Sequence, residues 1–114
     1  MIVTVEGKEY TIREPKPETL RKYGLSITEW KEILCRQNYR CAICKGIPST
    51  GKFVIDHQHV RNYKKLSPEK RKSYVRGELC WRCNYYFAGK GMCYEWAVNL
   101  SVYFREYEKR LKTQ

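Results

Sequence analysis

The sequence predicts an α+β fold, and three observations carry that prediction: a short alternating N-terminal segment, two stretches with helical apolar spacing, and two widely separated C-x2-C pairs. The alternation lies in "MIVTVEGKEYTI", two runs flanking Glu6-Gly7, which reads as an N-terminal β-hairpin within an extension over residues 1–25. "REPKPET" interrupts it, and Leu20 to Tyr23 is expected to form a helical turn ending at Gly24. "SITEWKEILCRQ" follows as a lead-in helix. Ser26 and Glu29 stand at capping-box spacing, worth about 1 kcal/mol, and Ile27, Trp30, Ile33 and Leu34 form its apolar face. A long C-terminal helix is expected within residues 91–112, where Cys93, Trp96, Ala97, Leu100, Tyr103, Phe104, Tyr107 and Leu111 recur every three or four positions. Val98 and Val102 add a second strip. Core packing is the expected use of this face, with a dimer surface as the alternative.

At 114 residues the chain is expected to form one domain, over 1–114, whose core is too small to be comfortable without a staple. No apolar run is long enough to span a bilayer and no signal-peptide pattern follows Met1, so a reducing cytoplasm is the expected location and metal ligation is favoured over disulfides. The excess of 23 Lys plus Arg over 12 Asp plus Glu, a formal charge of +11, directs attention to phosphate polymers. The charge is densest in "RNYKKLSPEKRKSYVRG", a polar segment with interleaved tyrosines. Nothing there resembles a basic helix with an apolar face free to insert in lipid. Nucleic acid is the expected partner; a merely solubilising surface is the bland alternative.

Of the six cysteines, "CAIC" supplies Cys41 and Cys44 and "CWRC" supplies Cys80 and Cys83. Each pair can bite one tetrahedral ion from a tight turn, which predicts a structural zinc on four cysteines that closes residues 45–79 into a loop, with a redox C-x-x-C as the alternative. Such an ion can supply on the order of 10 kcal/mol or more of folding free energy, more than a small core retains as net stability. Cys35 and Cys93 fall on apolar helix faces and are expected to be small buried hydrophobes.

Inside that loop, "VIDHQHV" holds the only aspartate, Asp56, and both histidines, His57 and His59. The zinc brings this stretch close to Asn84, next after the last cysteine of the pairs. A histidine can act as a general base near neutral pH, a carboxylate can hold a hard cation, and an amide oxygen can complete the cation's shell without adding charge. The set suits a one-metal phosphodiesterase. A two-metal nuclease would want several clustered carboxylates, and no Glu-x-Lys follows Asp56. The histidines could instead be zinc ligands, although two C-x2-C pairs already satisfy the ion.

In this order "CAIC", "IDHQH" and "VRGELCWRCN", preceded by "LRKYGLSITEWKEILCRQNYRCAIC", resemble the phage recombination endonuclease VII family within the HNH, or ββα-metal, nucleases. The resemblance runs from about Ser26 to Asn84. It implies a ββα-metal nuclease motif, a hairpin and helix gripping one Mg2+, for which Mn2+ can substitute, braced by a four-cysteine zinc knuckle. Asp56 and Asn84 would hold the catalytic metal, His57 would activate water, His59 would orient the phosphate, and Arg76 would contact it. The implied reaction is cleavage of duplex or branched DNA to 5′-phosphate and 3′-hydroxyl ends, nicking being the elementary event for a monomer or homodimer in host cytoplasm.

Two departures from the family stand out. Residues 60–75 form a longer connection than usual, read as an inserted DNA-contacting loop that offers Arg61, Lys64, Lys65, Lys70, Arg71 and Lys72 and includes a short helix started by Ser67 and Pro68. A mobile solvated loop is its alternative. The extended C-terminal portion of the junction-resolving members has no counterpart, so the resemblance implies phosphodiester cleavage and leaves four-way junction resolution open. The competing functions are a non-catalytic zinc-stabilised DNA-binding module and a purely structural zinc protein.

Overall fold

The computed structural model describes residues 1–90 and 92–113. In chain order the elements are β1 (Ile2–Val5), β2 (Lys8–Thr11), α1 (Pro17–Lys22), α2 (Ile27–Arg36), β3 (Val54–His57), a 3-10 turn (Tyr63–Lys65), α3 (Pro68–Ser73), β4 (Val75–Leu79), α4 (Trp81–Tyr86), a second 3-10 turn (Ala88–Lys90) and α5 (Tyr94–Lys112). The fold is α+β. It has two separate antiparallel sheets among the described residues, β1-β2 and β3-β4, with α4 following the second to give a ββα unit.

The first hairpin turns on Glu6 and Gly7, both at positive φ (51° and 80°), the backbone that a two-residue turn of matching twist demands. The hairpin is tied to the rest through Arg13, whose N–H donates to the Gly51 carbonyl at 2.8 Å on the segment leading into β3. The lead-in helix α2 starts with a complete capping box: Ser26 Oγ accepts from the Glu29 N–H at 3.1 Å, and the Glu29 carboxylate accepts from the Ser26 N–H at 3.0 Å. Trp30 and Leu34 carry its apolar face into the core beside Ile12, Leu20, Phe53, Ile55 and Leu79, while Ile27 and Ile33 pack at the margin. Just past α2, the Gln37 side chain grips β4 from both sides of one residue, accepting from the Glu78 N–H at 2.9 Å and donating to the Glu78 carbonyl at 2.8 Å. The lead-in helix thereby fixes the height of β4, and β4 fixes β3.

The 60–75 connection is built structure. Ser67 caps α3, its hydroxyl accepting from the Lys70 N–H, with Pro68 at the first helical position as expected. The connection is fastened to α1 and α2. Gly24, at φ 68°, lets the backbone of Pro68 approach so closely that a Cβ would collide with the Pro68 carbonyl. Arg71 donates to the carbonyls of Leu66 and Arg21, and Lys72 pairs with Glu29 at 2.7 Å.

Two expectations are corrected. The long C-terminal helix forms, but none of its residues is buried, so its apolar side chains do not pack into the core; Trp96 is 69% exposed. The helix projects, which is why the radius of gyration is 16.5 Å against roughly 13 Å for a compact chain of this length. Cys35 and Cys93 are likewise exposed. Cys35 lies on the outer side of α2, and Cys93 precedes the unpacked α5.

Candidate active site and zinc centre

The sulfurs of Cys41, Cys44, Cys80 and Cys83 lie within 4.8 Å of one another. The Cys44–Cys80 separation is 3.8 Å, and four sulfurs about 2.3 Å from a tetrahedral zinc stand about 3.8 Å apart. The four cysteines therefore fit zinc. The thiols are electrostatically uneven. Burial and then the neighbouring sulfurs push Cys83 up, whereas at Cys41 burial is outweighed by backbone hydrogen bonds from Cys80, Cys44 and Ile43, which bring it down to about 7. A cation that converts all four to thiolates removes that conflict. Cys80 is also the N-cap of α4, its sulfur accepting from the Cys83 N–H, so the cluster sets the direction in which α4 leaves the sheet.

β3 and β4 pair Val54 with Leu79, Ile55 with Glu78 and Asp56 with Gly77; His57 then pairs with Val75. Arg76 is left without an opposite residue, a β-bulge on β4. The bulge turns a side chain that would have alternated to the far face back toward Asp56. Arg76 Nε donates to Asp56 Oδ2 at 2.8 Å and Nη2 to Oδ1 at 3.0 Å, a two-pronged pair on a carboxylate only 6% exposed. Asp56 and Arg76 border an open groove walled by Phe87, Met92 and Ala97, so the start of α5 reaches the site.

His57, half-buried, sits in an aromatic nest. Its ring centroid is 4.4 Å from Tyr63, 4.9 Å from His59 and 5.3 Å from Tyr23. Burial first, and then the neighbouring charge of His59, hold its pKa below the ordinary imidazole value, with Asp56 pulling the other way, so the ring is neutral at pH 7. Tyr63 is buried, and its hydroxyl donates to the Arg71 carbonyl at 3.0 Å. The 60–75 connection thus supplies a wall of the histidine's pocket. Neither Tyr63 nor Tyr23 was singled out by the sequence pattern. The only signal for Tyr63 was that tyrosines interleave the basic residues of its segment, and Tyr23 stood out only as the end of a helical turn.

Asn84, half-buried, lies on α4, which touches both β3 and β4, but it is not among the residues that line the groove beside Asp56. The basic residues divide into two groups. Arg71, Lys72 and Arg76 make the intramolecular contacts described above. Arg61, Lys64 and Lys65 are exposed at the tip of the connection, and Lys70 is exposed above the Tyr74 ring. Among the described residues no helix is long and apolar enough to cross a membrane.

A ββα unit mounted on four cysteines able to hold one metal ion, with a half-buried histidine next in chain to a buried aspartate, defines a small metal-braced α+β class. A family model described as recombination endonuclease VII matches residues 16–112, and the chain belongs to that family of endonucleases. No curated protein and no solved structure matches it.

Proposed function

We propose that the chain is a metal-dependent DNA endonuclease of the HNH, or His-Me finger, type, in which His57 activates water beside a cation held by Asp56 and Asn84. The observation that carries this reading is a half-buried imidazole ringed by Tyr63, Tyr23 and His59 and adjacent in chain to a buried carboxylate on the same strand. The oxygen donors of Asp56 and Asn84 suit hard Mg2+, with Mn2+ as a substitute. Arg76 does not close the site to a cation, because each carboxylate oxygen has a second lone pair. With one carboxylate already paired to a guanidinium, Mg2+ binding is weak until DNA phosphate oxygens join the shell. The bound cation supplies Lewis-acid stabilisation of the scissile phosphate and the departing 3′ oxygen.

Within this reading an imidazole nitrogen of His57 takes the proton from the attacking water. His59, exposed beside it, orients the phosphate. Arg76 holds Asp56 in place and presents its exposed edge to the strand. Arg61, Lys64, Lys65 and Lys70 track the flanking phosphates, while Arg71 and Lys72 keep the connection folded. The products carry 5′-phosphate and 3′-hydroxyl ends, and branched DNA is the substrate that fits the family.

Two cuts need two sites, and α5 offers the means. Cys93, Ala97, Leu100, Phe104, Tyr107 and Leu111 follow a three-four repeat along one side of a helix with no buried residue. Antiparallel pairing with a second copy sets small against large, Ala97 on Tyr107 and Cys93 on Leu111, with Leu100 on Phe104 at the centre.

A plasmid-nicking assay with Mg2+ tests the enzyme, with His57→Ala alongside. The parental protein nicks, and the variant loses about 10²- to 10⁴-fold in rate at nearly unchanged DNA affinity. Equal rates would remove His57 from the mechanism. Binding without nicking under either Mg2+ or Mn2+ would make the chain the non-catalytic module instead.

A further inference from the structure

Trp81, Tyr85 and Tyr86 form a cluster that neither the core nor the chemistry above uses. The rings of Trp81 and Tyr85 are stacked, with centroids 5.0 Å apart and planes 13° from parallel, and Tyr86 stands edge-on to both at 6.2 and 5.0 Å. All three are exposed, Trp81 at 59% and Tyr86 at 57%. Large rings left this open to water add little to the core.

Three features narrow what such a surface accepts. The first is rigidity. α4 is anchored at Cys80 and Cys83, both members of the metal cluster, so the rings are mounted on a fixed support and a ligand orders little on binding. The second is position. Asn84 follows Trp81 by three residues and immediately precedes Tyr85, so at about 100° per residue Trp81 and Asn84 lie on adjoining sides of the helix. Whatever stacks on Trp81 sits within a helical turn of the amide assigned to the cation. The third is charge. Arg82, exposed on the same short helix, and a chain at +11 favour a planar ligand attached to an anionic backbone.

From these features we infer that the outer face of the Trp81–Tyr85 stack is a platform for a nucleobase that has left the double helix, next to the phosphate to be cut. Bases in an intact duplex hide their faces against one another, so only unpaired, bulged or branch-point nucleotides can extend the column. The platform would make the enzyme prefer DNA with unstacked bases without reading their identity, since every base has a π face. This rests on the proposed nuclease function for the identity of the ligand as DNA, and it assigns Trp81 a role in substrate binding.

The test compares two labelled probes, a fully paired 20-mer duplex and the same duplex carrying three unpaired thymines, by fluorescence anisotropy at fixed salt with Ca2+ present. Trp81→Ala should weaken binding of the bulged probe about 5- to 100-fold, the range for loss of one base–aromatic stack, and change duplex binding less than about 2-fold. Trp81→Phe should restore most of the difference. In a Trp96→Phe background, the bulged probe should also quench Trp81 fluorescence more than the duplex does. Zinc content and circular dichroism report whether each variant is folded. Equal loss on both probes, no loss on either, or a change in sedimentation without a change in DNA binding would overturn the proposal, the last by assigning the rings to a protein contact. If the parental protein fails to nick DNA yet keeps the Trp81-dependent discrimination, the nuclease reading falls and the platform stands.

Discussion

Glu78 provides the sharpest quantitative prediction. It lies on β4 opposite Ile55, fully buried, with both carboxyl oxygens lacking a hydrogen-bond partner. Burial pushes its pKa from the ordinary 4.5 up to about 8, and the nearby indole of Trp30, short of bonding geometry, opposes that push only in part. The folded protein therefore binds this proton more tightly than the unfolded chain, so the contribution is fully present below pH 4.5 and is lost as pH rises toward 8. At about 1.36 kcal/mol per pH unit, with the slope halving near the folded pKa, stability should fall on the order of 2 kcal/mol between about pH 6 and pH 8. Glu78→Gln keeps the shape and cannot ionise. Urea denaturation of both proteins at pH 6, 7 and 8 under saturating zinc isolates the effect, because zinc–thiolate linkage and every other titration are common to the pair. The difference between parent and variant should grow by about that amount in the variant's favour, whatever constant penalty the buried amide adds. Parallel pH curves would show that Glu78 is not held protonated and that the reasoning from burial is wrong.

Three further outcomes follow from the same structure. Tyr63→Ala opens the pocket of His57, so the acid limb of the cleavage pH profile, which lies below the ordinary imidazole value of 6.5, should move upward; Tyr63→Phe should leave it in place. Cys83→Ser, or chelation of the parental protein, should abolish cooperative unfolding by circular dichroism, because a structural zinc contributes on the order of 10 kcal/mol. Phe104→Glu should place a charge at the centre of the α5 pairing and convert a dimer to a monomer by sedimentation velocity with little loss of helical content in the ββα unit. A parental protein that sediments as a monomer at micromolar concentration would remove α5 from that role.

The elements and the cysteine cluster were legible because their determinants are local in sequence. A capping box spans four residues, a turn of positive φ announces itself as Glu6-Gly7, and a C-x2-C bite fixes its own geometry. Burial was not legible for α5, because apolar spacing shows which face of a helix is sticky but not whether the same chain covers it. Arg76 illustrates a subtler limit. The resemblance implies a phosphate contact for it, and nothing in composition announces the one-residue bulge at which it also pairs with Asp56. Tyr63 and Glu78 were missed for opposite reasons. The first is an ordinary tyrosine in a basic tract, buried by rings distant in sequence, Tyr23 and His57; the second is a carboxylate in a strand whose other neighbours gave no hint of a sealed interior.

The clustered sulfurs of the two cysteine turns and the β3–β4 ladder draw together the ends of the stretch between those turns, which makes that stretch a closed ring. Its most outward arc, Arg61 to Lys65, shares no hydrogen-bonded ladder with either end. Within it Tyr63 is buried against the His57 ring, so the positions open to change are the exposed Arg61, Asn62, Lys64 and Lys65 on either side of that fixed tyrosine. The ring thus joins a fixed aromatic contact to an exposed basic rim whose side chains can change without disturbing it.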